Sequence, residues 1–353
     1  MLGVALLGCG RIAVRHAELL SKGEISGARL VCVCDIDEDR AKKFGLKYKV
    51  PFFSSLKSMM DSCSKNVDIV SILTPSGLHA KNALEVAPYK KHIIVEKPMA
   101  LKLDDADRMI EACDKFGIRL FVVKQNRYNL PVQKLREALD CGRFGKLVMG
   151  SVRVRWCRDN GYYRQDSWRG TWAMDGGVFT NQASHHIDLL EWMLGDVESV
   201  FAKSRTALSD IETEDTGVAV LKFKNGALGV IEATTATRPK DLEGSISILG
   251  ENGSVEIGGF AVNEIKHWQF KDKIPSDDLV IEKYSVNPPN VYGFGHREYY
   301  MHVLDSINNN KKALVDGLEG RKSLELIIAM YESIETGKEV FLQFHPQKCR
   351  LGM

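Results

Sequence analysis

The sequence predicts a two-domain α/β chain: a doubly wound parallel sheet in the first third, then an α+β domain built on a mainly antiparallel sheet. Three observations carry that expectation. Short, apolar, β-branched runs alternate with amphipathic helical stretches up to about residue 125. Beyond that point longer runs alternate polar and apolar residues and are joined by Asn-Gly turns. The chain is also 353 residues long, more than one ordinary core accommodates.

In the first third the strand candidates are "GVALLG", "RLVCVCD", "DIVSILT", "HIIVEK" and "RLFVVKQ". Helices are expected near 11–22, 38–45, 77–87 and 103–116. The strands are nearly all apolar, which suits a sheet covered by helices on both faces. We draw the first domain as residues 1–125 and the second as 126–353. In the second, a helix at 129–141 leads into the alternating strand "LVMGSVRVRWC", and another helix covers 183–194. "TGVAVLKFKNGALGVIEATTAT" reads as two strands around Lys224-Asn225-Gly226-Ala227, and "GSISILGENGSVEIGG" repeats the hairpin around Glu251-Asn252-Gly253. The stretch 297–336 is helical again and could pack against either domain. Residues 258–295, with Pro275, Pro288 and Pro289, carry no clear pattern.

Composition excludes several classes. Hydrophobic residues make up 44% and charged residues 27%, the profile of a globular protein. A net charge of +2 gives no strong field for nucleic acid or a membrane surface. No run approaches the roughly 20 apolar residues of a membrane span. "MLGVALLGCG" lacks the basic start and cleavage site of a signal peptide, so it reads as a first strand and the expected location is cytoplasmic. The eight cysteines are scattered with no CxxC pair, which fits reduced thiols rather than a zinc site or disulfide framework. No metal is expected.

"VALLGCGRIA" places Gly8 and Gly10 after the first strand, with Ala13 in the third position of G-x-G-x-x-G/A and Arg11 and Ile12 opening a helix. The glycines let the backbone turn and approach a pyrophosphate at the helix N-terminus. Two glycines alone also close ordinary strand–helix turns. Here Asp35 ends the next strand, 25 residues after Gly10, where an acid binds the adenosine ribose hydroxyls. The combination predicts a Rossmann dinucleotide-binding domain. An acid repels a 2′-phosphate, so NAD is expected over NADP, with Arg11 or Arg40 as the residues that would reach a phosphate in the alternative. In "SILTPSGLHA", Thr74, Pro75 and His79 fall at the carboxyl end of another strand, where such sheets form their ligand crevice. His79 reads equally well as an ordinary helix N-terminal residue.

"HIIVEKPMA" ends a core strand in two charges. Pro98 excludes the helical conformation for Lys97 and removes a backbone donor. Glu96 and Lys97 are thereby expected at the nicotinamide end of the crevice. A surface Lys–Glu pair before a turn proline is the ordinary reading. The position at the cofactor edge reverses it, because a cationic nicotinamide disfavours a second positive charge and suits a lysine to proton transfer.

"GCGRIA", "TPSGLHA" and above all "EKPMA" resemble the glucose–fructose oxidoreductase/inositol dehydrogenase (Gfo/Idh/MocA) family, across essentially the whole chain. The resemblance implies that Lys97 holds or deprotonates the reacting hydroxyl. It also implies a C-terminal domain with a large open sheet that carries substrate and oligomer contacts, in a tetramer or dimer.

In "DGGVFTNQASHHIDLLEWMLG", Ile187, Leu190 and Leu194 share the core face of a helix. His185 sits in the first turn away from them, where a free imidazole can exchange a proton. His186 reads as a hydrogen-bonded histidine of the helix start. The family pattern has one acid four residues before its catalytic histidine and another three after it. Here those positions hold Asn181 and Asp188. His185 maps onto the pattern, while Asn181 can orient a hydroxyl but cannot stabilise an imidazolium by charge.

"RVRWCRDNGYYRQDSWRGTWAMDGG" is rich in Arg, Tyr and Trp, suited to stacking a base and clamping phosphate or carboxylate. Arg153 and Arg155 fit an exposed strand face. Trp168 and Arg169, in the loop beyond, are assigned with Gln125 to the cofactor. Tyr163, Arg164, Asn126 and Arg127 join Lys97, Asn181 and His185 as substrate contacts. This constellation is similar to the branch of the family acting on UDP-N-acetylglucosaminuronic acid. The similarity implies oxidation at C3 to a 3-keto sugar for a partner aminotransferase, in diacetamido-uronic acid synthesis for surface polysaccharide. It also allows 2-oxoglutarate as the oxidant that recycles bound NADH. Two alternatives stay open: a dehydrogenase for inositol or a free hexose, and an NAD-binding regulator without chemistry. Retention of both Lys97 and His185 argues against the second.

Overall fold

Apolar strands too short to be stable alone form the first sheet by parallel pairing. In chain order the elements are β1 (Leu2–Leu7), α1 (Arg11–Ser21), β2 (Ala28–Cys34), α2 (Glu38–Tyr48), β3 (Phe52–Phe53), α3 (Leu56–Cys63), β4 (Ile69–Ile72), α4 (His79–Val86), β5 (His92–Val95), α5 (Leu103–Phe116) and β6 (Leu120–Val122). The strand order is β3-β2-β1-β4-β5-β6, with parallel pairing throughout. The order reverses between β1 and β4. Their carboxyl ends therefore flank the switch point at which doubly wound sheets take ligands. β4 is buried at every residue, Ser71 included, as a sheet covered on both faces requires. The sequence reading missed β3 and α3. A two-residue strand held only through Val33↔Phe52 and Cys34↔Phe53 is too short to leave a period.

The computed structural model describes residues 1–286, 294–342 and 350–352; Pro288, Pro289 and Cys349 lie outside them. The chain divides into two units, Met1–Val123 with His296–Arg321, and Lys124–Gly295 with Lys322–Met353. The second unit contains α6 (Leu130–Asp140), β7 (Leu147–Arg155), α7 (Asn160–Tyr163), α8 (Ser184–Leu194), β8 (Val197–Arg205), β9 (Thr216–Phe223), β10 (Leu228–Thr234), β11 (Glu243–Gly250), β12 (Gly253–Gly258), β13 (Glu264–Phe270) and α9 (Val280–Tyr284). Two more helices, α10 (Gly295–Asn308) and α11 (Gly317–Thr336), and a short strand, β14 (Val340–Phe341), complete the described chain. Among the described residues no helix is long and apolar enough to cross a membrane.

The second sheet runs β13-β12-β11-β7-β10-β9-β8-β14, antiparallel except for the parallel pair β10–β7. Both expected hairpins form, with Gly226 at φ +88° in the first turn. Alternation sorts the faces: Val152, Val154, Ala219, Leu221, Ile231 and Ala233 are buried. The opposite face exposes Val218, Val220 and Leu228 and pairs Arg153 with Glu256 and Arg155 with Glu232 and Glu243. α8 packs on β7, and Gly150 permits the close approach. A Cβ there would fall 2.7 Å from Leu194 Cδ1 and 3.0 Å from Leu190 Cδ1.

The expected helical stretch 297–336 is two helices, and its first part belongs with the first unit rather than with a continuous 126–353 domain. Tyr299, Tyr300, Val303 and Leu304 of α10 are buried. The Arg119 guanidinium donates to the carbonyls of Ser306 and Lys311, and Val122 N donates to Val315 O at 3.2 Å. A chain return of this kind depends on contacts nearly 200 residues apart in sequence and has no local signature. The division of units falls inside α11.

α8 is anchored from within. Its Asp188 carboxylate accepts from Arg127 Nε at 2.8 Å and Nη2 at 2.9 Å. Lys124 Nζ lies 3.7 Å from the same carboxylate and donates to Ser323 Oγ at 2.8 Å. One turn later, burial and then the Asp188 charge push the Glu191 carboxyl up to about 8, against Arg127, Lys322 and Lys124, which pull it down. The unfolded chain releases this proton near 4.5, so between those values the folded state binds more protons and stability falls as pH rises. Glu191→Gln should therefore gain stability over the wild type by a margin that widens from pH 5 to pH 8. Denaturant unfolding across that range measures it, and a margin independent of pH would contradict the assignment.

Candidate active site

The first unit holds the dinucleotide elements. Gly8 has φ +103°, and a Cβ there would fall 2.8 Å from the backbone C and O of Leu73. Only glycine fits that conformation and that approach of β1 to β4. Gly10 is the N-cap of α1 in extended backbone, and nothing lies within 4 Å of where its Cβ would be. That open space in front of a helix N-terminus fits a pyrophosphate. Asp35 directly follows β2, buried, with Oδ2 accepting from Cys9 N at 2.8 Å and Oδ1 from Asp37 N at 2.9 Å. A carboxylate has acceptor sites beyond those two, so ribose hydroxyls remain compatible with it. Arg40, half exposed, stands 3.8 Å away. Arg11 and Ile12 occupy the first turn of α1.

His79 is the first residue of α4, the ordinary helix N-terminal position that the sequence also allows. Its Nδ1 is 2.7 Å from Pro98 O and its Nε2 2.9 Å from Thr74 O, in a buried ring. Burial lowers its pKa, although the two carbonyls and Glu96 pull it up. Its two nitrogens face carbonyls of the Thr74-Pro75 and Lys97-Pro98 turns, and a neutral ring donates to one of them at a time. Thr74 Oγ1 donates to Asn82 Oδ1 at 2.8 Å. Lys97 itself is half-buried at the end of β5, before a cis peptide bond to Pro98. Glu96, expected with Lys97 at the nicotinamide end of the crevice as a cofactor contact, turns its carboxylate inward. Oε1 meets His16 Nε2 at 3.1 Å, and Oε2 accepts from Lys97 N at 3.1 Å. The sequence reading did not find His16. The signal was there, because a histidine stands on the buried face of α1 with Ala13, Ala17 and Leu20.

The second unit holds the other group. His185 lies buried in the first turn of α8, while Asn181 precedes it and donates from Nδ2 to Asp175 Oδ1 at 2.5 Å. Asp175, also buried, accepts from Gly170 N at 2.9 Å. An acid therefore does stand behind the amide, six residues upstream of the position at which the family pattern places it. His186 is buried with neither ring nitrogen bonded among the described residues, and burial lowers it to about 4. It packs edge-on to Trp156 at 5.8 Å and is not the hydrogen-bonded histidine expected.

Two substrate assignments are corrected. Arg127 is buried in its bidentate pair with Asp188 and lies 4.9 Å over the Trp192 ring. A guanidinium drawn into the interior by a carboxylate does not present itself to a ligand. Tyr163 is buried too, its hydroxyl 3.0 Å from Thr235 Oγ1, and burial raises its pKa. Arg164 is exposed, and Gln125 and Asn126 are buried beside Arg127. The aromatic–arginine stack does form: the Arg169 guanidinium lies 4.6 Å from the Trp168 ring and 4.9 Å from Tyr162. Arg158 lies 5.5 Å from the same tyrosine ring. Asp166 and the Tyr162 hydroxyl, each 2.9 Å away, hold Arg169 in place.

A glycine loop on a six-stranded parallel sheet and a charged turn at the same carboxyl edge, two strands away, define a nicotinamide-dependent oxidoreductase. The oxidoreductase family's NAD-binding Rossmann fold matches residues 2–124, and its C-terminal alpha/beta domain matches residues 136–342. The chain belongs to the Gfo/Idh/MocA oxidoreductase family, with NAD as its cofactor. It is 30% identical to the myo-inositol 2-dehydrogenase of Thermotoga maritima, over 96% of this chain and 98% of that one. The WlbA dehydrogenase of Bordetella pertussis, solved in complex with NADH and UDP-GlcNAcA, superimposes with a TM-score of 0.92 at 43% identity, covering 98% of each chain. The WlbA dehydrogenase of Chromobacterium violaceum, in complex with the same two molecules, gives 0.90 at 44% identity, over 98% of this chain and 96% of that one.

The two glycines separate folding from binding. Gly8→Ala should destabilise the protein by about 1–3 kcal/mol or more, through left-handed strain and backbone overlap. Gly10→Ala should leave the melting temperature nearly unchanged and weaken NADH binding at least ~10-fold, because its methyl enters the space open to the pyrophosphate. Thermal melts and NADH fluorescence titrations measure both, and wild-type affinity in Gly10→Ala would contradict this reading of the loop.

Proposed function

We propose that this enzyme oxidises the C3 hydroxyl of UDP-N-acetylglucosaminuronic acid to the 3-keto sugar. The observation that carries the reading is the 43–44% identity, across nearly the whole chain, to two dehydrogenases solved with NADH and UDP-GlcNAcA. The Arg158–Tyr162–Arg169–Trp168 stack supports it, since stacked guanidinium and aromatic groups suit a base and phosphates. NAD, when bound, supplies the hydride acceptor. His185 takes the hydroxyl proton, and Lys97 polarises the oxygen and passes the proton onward. Asn181, its amide tied to Asp175, orients a sugar hydroxyl.

The 3-keto product then suits a transamination, which places the reaction in diacetamido-uronic acid synthesis for surface polysaccharide, in the cytoplasm. Bound NADH is recycled by 2-oxoglutarate in this reading. The open face of the second sheet, with exposed Val218, Val220 and Leu228, supports a homotetramer or dimer. A second reading, a polyol dehydrogenase, is favoured by the 30% identity to the Thermotoga maritima enzyme. Asn181, in place of the family's acid, weighs against inositol.

Initial rates with UDP-N-acetylglucosaminuronic acid and with myo-inositol decide between them, and turnover of inositol alone would move the assignment to the polyol. Lys97→Ala and His185→Ala should each lower turnover by about 10²–10⁴-fold with NADH affinity retained. Unchanged turnover in both would contradict the roles assigned here.

A further inference from the structure

A buried polar cluster lies next to Lys97 in the first unit, and the reaction as described does not use it. Glu96 is 7% exposed, while His16, His296 and Tyr300 are fully buried. Glu96 follows β5, His16 comes from the middle of α1, and His296 and Tyr300 stand one turn apart on α10. Glu96 Oε1 is 3.1 Å from His16 Nε2 and 3.9 Å from His296 Nε2. Tyr300 Oη is 2.7 Å from His16 Nδ1.

The protons in this cluster have a direction. Burial pushes the Tyr300 hydroxyl up, so it keeps its proton. The Glu96 carboxylate can only accept, so His16 Nε2 donates to it, and Nδ1 of a neutral ring then accepts from Tyr300 Oη. Burial alone would raise the Glu96 carboxyl, but hydrogen bonds and charge from His16 and His296 outweigh it and hold the group well below the usual carboxylate range. The ionised Glu96 has its second oxygen on the amide of Lys97. That amide lies just beyond the sheet ladder, whose last bonds here are Glu96 N to Ile72 O and Val123 N to Val95 O. Pro98 offers no N–H to continue it. At this end of the strand the carboxylate accepts from the Lys97 amide.

We propose that Glu96 is a positioning residue: oriented by His16, His296 and Tyr300, its carboxylate holds the Lys97 amide and fixes the direction in which the lysine side chain leaves the strand. This rests on the reading of Lys97 as an active-site residue. The donor atoms of His16, Glu96 and His296 lie within 4.8 Å of one another, as in a metal site. In the hydrogen-bonded arrangement the His16 Nε2–H donates to the Glu96 carboxylate, which leaves that nitrogen no lone pair for a cation.

Glu96→Gln tests the proposal, since an amide has one acceptor oxygen for two donors and must release either His16 or Lys97. Turnover should fall about 10–100-fold, with KM for the sugar, NADH affinity and melting temperature close to wild type. Tyr300→Phe, which removes the donor to His16, should lower turnover in the same manner by a smaller factor, and it decides the matter if Glu96→Gln does not fold. Wild-type turnover in these variants would overturn the proposal. So would a loss expressed as raised KM or lost NADH binding, or one equivalent of metal bound by the wild type and absent from Glu96→Gln. Lys97→Ala, assayed alongside, separates the two readings. If it is fully active, the Lys97 assignment fails. If it is inactive while Glu96→Gln is normal, only the positioning role fails.

Discussion

A parallel strand sealed on both faces cannot end in two charged residues unless the interior supplies partners, and the first unit is arranged around that requirement at Glu96 and Lys97. The partner for Glu96 comes from α1, the same helix whose N-terminus follows the glycine loop, and from α10, a helix that returns from far along the chain. His79 sits between the Thr74 and Pro98 carbonyls and donates to one of them. The strand ends around the switch point are thus tied to one another by buried polar groups, which hold geometry more strictly than apolar packing alone. Asp35 does the same for the glycine loop by accepting from Cys9 N.

The second unit places its polar groups by another route. α8 is nearly all buried, so its charged residues pair within the interior: Asp188 with Arg127 and Lys124, while Glu191 stays protonated at neutral pH. Such a pair lends little net stability, but losing one partner is severe, which makes it a firm registration device for the helix that carries His185. Asn181 is fixed the same way by Asp175. The antiparallel sheet beneath leaves one face to ion-paired arginines and exposed valines, the mixed surface that an alternating pattern gives.

Local chemistry was readable from the sequence, and long-range partners were not. Gly8, Gly10 and Asp35 were legible because their spacing is dictated by the backbone's approach to a ligand, and the Asn225-Gly226 hairpin because its turn demands left-handed backbone. Lys97 stood out because a proline after a charged pair is out of place in a core strand. Arg127 and Tyr163 were misread for one shared reason: a buried polar side chain and an exposed one look alike until the partner is known, here Asp188 for the arginine and Thr235 for the tyrosine. Asp175 escaped because its role depends on a loop folding back onto Asn181. His16, His296 and Tyr300 escaped because they converge across some 280 residues of sequence.

The most direct test of a nucleotide-sugar dehydrogenase is calorimetric titration of the purified protein with UDP, with and without saturating NAD. Saturable 1:1 binding of UDP, retained or strengthened when NAD is present, is the predicted result. Absence of UDP binding up to millimolar concentration in both titrations would contradict the nucleotide-sugar assignment.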